Sequence, residues 1–318
     1  GLALVGSGDL WLAVLLIVMI WFTRFVLREC TRAERHQMIA LMTLIFFALI
    51  FYTLYEQTYG SWVTFTDRLM TKDLFGMAPV GSTTIPWAIF SLAASPVLMI
   101  AALSASDRGN DGIAKVMVGL LVIGLAIAIT HDVVMVPQTA GSLTFLGAFF
   151  IVVLSPLFAW LWPWLEKRGL NPSKPAKMAF GLVVAGLSFI PLMLAADISA
   201  TGVMASVWWL VLAYFILEVA EMCLSPIGLA AVSELSVARV VGLMMGAFWL
   251  ATAYSEVLAA GFGKLASLQI PEGGAIDMAA ASGKYSSLFE LMLWIGVGSG
   301  LVYFILTPLM RKMMRGAQ

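Results

Sequence analysis

The 318 residues are 61% apolar and only 11% charged, with a formal net charge of zero and a mean hydropathy of +0.98. That balance excludes an ordinary soluble domain and leaves no electrostatic footing for nucleic acid as a partner. Apolar stretches of about 20 residues recur along the whole chain, each able as a helix to cross about 30 Å of hydrocarbon, so an all-α integral membrane protein solvated by the lipid bilayer is predicted.

The chain opens GLALVGSGDLW, without the basic leader and small-residue cleavage site of a signal peptide, and we expect an upstream segment. Apolar runs bounded by charge or by Gly, Pro and Ser predict nine helices, at 10–27, 38–59, 84–105, 113–136, 143–164, 177–197, 205–230, 240–262 and 287–309. The third and fourth flank SASDRGNDG, a turn-forming stretch, and are read as an inserted helical hairpin at about 84–136. In LEKRGLNPSKPAK, Pro172 and Pro175 stop helix continuation between the fifth and sixth runs. If the first run starts outside, the inner loops collect 14 of the 18 basic residues, leaving Arg68, Lys72, Lys264 and Lys284 outside. Positive charge favours the cytoplasmic side, so a multi-pass protein with a cytoplasmic carboxyl terminus is expected.

Four acids interrupt the apolar runs: Glu56, Glu218, Glu221 and Glu256. An ionised side chain at mid-membrane costs at least about 2.5 kcal/mol, so each needs a partner, a wet cavity or a proton. The helical repeat sets Glu221 and Ser225 on one stripe with Glu218 a turn earlier, and Pro226 is placed to bend that helix. Tyr52, Tyr55 and Tyr59 are spaced to ring Glu56, and Trp249 precedes Glu256 by seven residues on one face. No lysine or arginine falls in the middle of any run, so the complementary charge is expected from a ligand, from protons or from another part of the protein. Each acid could instead be a hydrogen-bonded packing residue, an alternative open above all for Glu218 and Glu256. His131 beside Asp132 is read as interfacial, Cys30 and Cys223 as packed thiols, and the 19 methionines as apolar filler. Motifs for a metal site, a nucleotide-binding loop or hydrolytic chemistry do not occur, and no enzyme or cofactor is expected.

EMCLSPIGLAAVSELSVARVVGLMMGAFWLATA (221–253), LYEQTYGSWVTFTDR (54–68) and FIVVLSPLFAWLW (150–162) resemble the proton-dependent oligopeptide transporter family of the major facilitator superfamily. The resemblance covers most of residues 30–262 outside 84–136 and corresponds to the carboxyl-terminal half of a member. It implies a linker helix and cytoplasmic loop over 1–37 and a carboxyl-terminal six-helix bundle with the inserted hairpin over 38–318. The implied activity is proton-coupled symport of di- and tripeptides in a bacterial inner membrane, protons serving as coupling ion, with the amino-terminal half of the same transporter as partner. The alternatives are a facilitator carrier for another small zwitterionic or cationic solute, or a membrane scaffold subunit.

By motif, Glu221 resembles the carboxylate that faces the peptide's amino terminus, Ser225 lines the same wall, and Trp249 and Tyr55 are candidates for the same pocket. Glu56 resembles the proton-linked glutamate, and Glu218 is a second candidate for proton coupling. Three departures stand out. The family's Asn-Pro reads Gly147 and Ala148 here, for which Ser95-Pro96 is a conceivable substitute. The tryptophan after Met245-Gly246 is displaced by one residue, to Trp249 behind Phe248. Glu256 stands where the family more often has an uncharged polar residue.

Overall fold

The computed structural model describes residues 8–72, 74, 82–86, 112, 115–116, 118–119, 133–137, 139–266 and 277–314. Helix α1 (Gly8–Arg28) is followed by a short loop in which Thr31 caps α2 (Arg32–Tyr55). Thr31 Oγ1 accepts from the Glu34 amide at 3.4 Å while Glu34 Oε2 accepts from the Thr31 amide at 2.7 Å, satisfying two donors that the helix start would otherwise strand. That reciprocal cap begins the helix at Arg32 instead of the expected 38. Arg239 closes over the same corner: Nη2 donates to the Glu29 carbonyl at 2.7 Å, Nη1 lies 3.5 Å from Glu34 Oε1, and the guanidinium sits 5.4 Å from the Phe25 ring.

After Tyr55 the chain tightens into a 3-10 turn at Glu56–Thr58 and resumes as α3 (Ser61–Leu69). Two strands follow, β1 (Ser82–Pro86) and β2 (Val133–Pro137), paired antiparallel with Ser82 opposite Pro137 and Pro86 opposite Val133. Residues 84–86 and 133–136 are therefore extended and not helical, as suits the β-branched TTI and VVMV runs; most of the expected hairpin lies outside the described residues.

Helix α4 (Phe145–Lys167), entered through a 3-10 turn at Ser142–Thr144, ends at Gly169 with φ 68°. There Leu170 N–H donates to Leu165 O and Gly169 N–H to Glu166 O, both at 3.0 Å, a closure that needs a left-handed residue. The expected single helix at 177–197 is two pieces, α5 (Lys174–Leu187) and α6 (Ile190–Ala200). Pro191 has no amide hydrogen for the Leu187 carbonyl, and the chain turns at Ser188–Phe189. Next come α7 (Trp208–Leu235), α8 (Val241–Gly263) and the 37-residue α9 (Met278–Met314).

Among the described residues, six stretches are long and apolar enough to cross a membrane: 32–69, 142–167, 174–200, 208–235, 238–266 and 278–314. The protein is thus an all-helical multi-pass membrane bundle in its main body. Helix α9 packs along α5 and α6, α5 packs on α7, α2 lies against α8 and α9, and α4 leans on α7. Small residues permit the tightest crossing: a Cβ on Gly296 would lie 2.5 Å from Gly186 Cα, and one on Gly300 2.8 Å from the Val183 amide nitrogen. At one end, Ala205 N–H donates to Leu69 O at 3.0 Å and Thr71 N–H to Ala205 O at 2.8 Å, tying α3 to the loop before α7. Trp62 fills the centre beside this seam, with Phe189 and Tyr214 rings at 5.5 and 5.1 Å.

Candidate functional site

Helices α2 and α7 bring together the polar groups that the apolar runs carry. Residues 221 and 225 are one turn apart on α7, and 52 and 55 are nearly one turn apart on α2, so each helix offers a polar stripe to the other. Tyr52 Oη lies 3.2 Å from Ser225 Oγ, and Ser225 donates to Glu221 Oε1 at 3.3 Å. Tyr55 donates to Glu218 Oε1 at 3.4 Å. Glu218 is 0% exposed, and Oε2 of both Glu218 and Glu221 is buried without a hydrogen-bond donor. Tyr214 Oη donates to the Thr58 carbonyl at 3.5 Å, fixing the 3-10 turn beside the pair.

Of the expected site residues, the structure joins Tyr55, Glu218, Glu221 and Ser225. Glu56 stands apart in the 3-10 turn, half-buried, and its carboxylate senses that of Glu256 on α8. Two of the three phenols expected around Glu56 turn elsewhere: Tyr52 and Tyr55 serve Ser225 and Glu218. The reason is the change of winding after Tyr55, since 3-10 geometry has three residues per turn and breaks the spacing that an unbroken α-helix would keep. Trp249 is 55% exposed and its described ring contact is with Phe248, whereas Phe248 is 1% exposed and meets Tyr52 at 6.1 Å. Phe248 thus takes the inward place on α8. Ser95, Pro96, His131 and Asp132 lie outside the described residues.

Two residues that motif reading does not place in the site prove to shape it. Gln57 Nε2 donates to the Ala259 carbonyl at 3.1 Å and Gln57 Oε1 accepts from Ser61 at 2.7 Å, pinning the 3-10 turn to α8. Gly147 on α4 sits against Glu218: an added Cβ would lie 3.0 Å from Glu218 Oε1 and 3.7 Å from Tyr214 Cε1.

No ion pair among the described residues reaches the four acids. The pairs are Lys72 with Asp67, Lys174 with Glu234 and Arg239 with Glu34. The buried Lys177 ammonium lies 3.8 Å over the Trp162 ring, and Arg68 donates to Tyr285 at 3.3 Å. Nor does any group of three or more His, Cys, Asp or Glu side chains among the described residues stand ready to hold a metal. The wall is therefore acidic and phenolic, and chemically matched to a cation or a proton.

Comparison with known proteins falls on the same helices. Residues 138–272 match the family model described as PTR2, POT family. The chain is 31% identical over 171 residues to the uncharacterized transporter YclF of Bacillus subtilis, covering 54% of this chain and 31% of that protein. It is 39% identical over 116 residues to the peptide transporter YePEPT of Yersinia enterocolitica, covering 36% and 23%. With dipeptide and tripeptide permease B of Aliivibrio fischeri it shares 29% identity over 178 residues, covering 56% and 35%. The matched regions thus make up about a third or less of each of these relatives. Among solved structures, the peptide transporter POT in complex with sulfate superposes with a TM-score of 0.64 at 22% identity, over 94% of this chain and 46% of that one. A POT family transporter in complex with 5-aminolevulinic acid gives 0.63 at 18%, over 96% and 49%. Residues 138–272 are thus similar to the POT family's domain, and the described bundle shares the fold of about half of those solved transporters.

Proposed function

We propose that this chain is the carboxyl-terminal half of a proton-coupled symporter of di- and tripeptides, and that the amino-terminal half of the same transporter completes its cavity. One observation carries the reading: the buried wall of Glu218, Glu221, Ser225, Tyr52 and Tyr55 holds two bare carboxylate oxygens and no ion-paired cation among the described residues. A peptide is a zwitterion, and its ammonium group supplies the missing charge as each ion replaces water lost by the other. Glu221, with Ser225 and Tyr52 orienting it, is the ammonium acceptor. Glu56, the more open carboxylate at the end of α2, is the proton-linked group, facing the other half. Rocking of two such halves about a midplane site is the alternating-access scheme this architecture favours. The relatives named as peptide transporters support the substrate class. The distribution of basic residues supports a cytoplasmic carboxyl terminus, and the bacterial relatives support an inner-membrane location.

The test is uptake of a labelled dipeptide into proteoliposomes holding the product of the whole gene, with and without an inward proton gradient. Gradient-driven uptake that Glu221→Gln abolishes is expected. Uptake indifferent to the gradient, or untouched by that substitution, refutes the reading.

A further inference from the structure

Glu218 and Glu221 leave α7 within one turn, and both carboxyl groups fall on the side of that helix that meets the tyrosines of α2. Each keeps Oε2 buried with no donor. Around the pair, α2 contributes the Tyr55 phenol, the residues after the 3-10 turn contribute Tyr59, and α7 itself contributes Tyr214. From α4 comes Gly147, from α8 the Phe248 ring near Tyr52, and on α5 the Lys177 ammonium faces Trp162 and Cys223 instead. Two carboxylates one turn apart and away from water repel strongly, and the phenols offer one long hydrogen bond of 3.4 Å against that. Two acceptors facing each other can be joined only by a hydrogen between them.

Helix α4 leaves room for the Glu218 carboxyl group. The 3.0 Å separation between a Gly147 Cβ and Glu218 Oε1 means that any side chain there would press the carboxyl group from its place. Glycine leaves the room in which Glu218 lies between Tyr55 and Glu221.

We infer that Glu218 and Glu221 share a single proton across their facing oxygens and act as one dyad carrying one negative charge. The proton comes from cavity water and bridges the two carboxyl groups, while Tyr55 donates to the outer oxygen of Glu218. One substrate ammonium then neutralises the site completely, so proton and ammonium occupy it together without leaving a net charge between the halves. Glu218 is on this view the residue that lets Glu221 accept a cation in a buried place. The identity of the ammonium rests on the peptide-transport reading; the shared proton does not.

Infrared difference spectroscopy of the purified whole protein, in water and deuterated water, tests it. At neutral pH a deuteration-sensitive carbonyl band of a protonated carboxylic acid is expected. Glu218→Gln should remove it, because the new amide donates to Glu221 and the repulsion is gone. Glu221→Gln should remove the same band, the double variant should do no more, and Glu56→Gln should leave it. Absence of the band from the unaltered protein, its survival in either single variant, or its loss in Glu56→Gln overturns the proposal. A band that behaves as expected in a protein that takes up no dipeptide upholds the dyad and removes only the substrate assignment.

Discussion

Gly296 on α9 offers a sharp test of the packing. Adding one methyl group there would place Cβ 2.5 Å from Gly186 Cα, 2.6 Å from Gly186 N and 3.0 Å from Leu54 Cδ1, where ordinary contact begins at 3.4 Å. Two of those three atoms are backbone and cannot rotate aside, so α9 and α5 must part by about 1 Å. A gap of that size forfeits up to half of each dispersion contact along the seam, and overpacking of this kind costs about 1–3 kcal/mol, with the upper end fitting a backbone obstacle. Gly298→Ala is the internal control, since a Cβ there meets nothing within 4 Å. On that face alanine should gain up to about 1 kcal/mol of helix propensity. Fluorescence-detected size-exclusion melts of the detergent-solubilised protein should show Gly296→Ala losing about 5 °C or more relative to Gly298→Ala. Equal melting temperatures for the two would refute the close crossing.

Three further outcomes are expected. Gly147→Ala must push the Glu218 carboxyl group by a few tenths of an ångström, so it should lower dipeptide uptake while costing no more than about 2 kcal/mol in a thermal melt; unchanged uptake would deny Glu218 a functional position. Thr31→Ala removes the side-chain acceptor of the α2 cap and should destabilise by about 1 kcal/mol, checked by melting, whereas Thr31→Ser should restore it. Burial, with the Glu34 carboxylate adding to it and Arg239 opposing, pushes the Cys30 thiol above its ordinary range. Maleimide labelling at Cys30 in a Cys223→Ala background should therefore lag a free thiol near neutral pH, and its rate should keep rising with pH where the free thiol has levelled.

What sequence alone conveyed differs from helix to helix for physical reasons. The long apolar runs announce membrane helices because hydrocarbon thickness fixes their length, and the acids at 218 and 221 stand out against them. The break at Ser188–Phe189 was written in Pro191, yet continuous hydropathy on both sides hides it. The strand at 133–137 is as apolar as the helix expected there, and its pairing with 82–86 across about 50 residues has no local periodicity to betray it. Glu56 and its tyrosines follow helical spacing only if the helix continues, and its tightening after Tyr55 depends on Gln57 reaching Ala259, a contact 202 positions away. Gly147 looked like a missing side chain in the motif. Only the facing helix reveals that the space is filled by Glu218. The exchange of Trp249 for Phe248 on the inward face was visible as a one-residue displacement, because a single step turns a helix by about 100°.

The length of α9 has its own consequence. At about 1.5 Å per residue, 37 residues extend about 55 Å, against a hydrocarbon slab of about 30 Å. Roughly 25 Å of continuous rod must project into headgroups and water, with Arg311 and Lys312 near one tip, while the glycine seam clamps its middle to α5. Small tilts at the clamp become large excursions at the tips, so a spin label near Met310 would report motions of the buried bundle from outside the membrane.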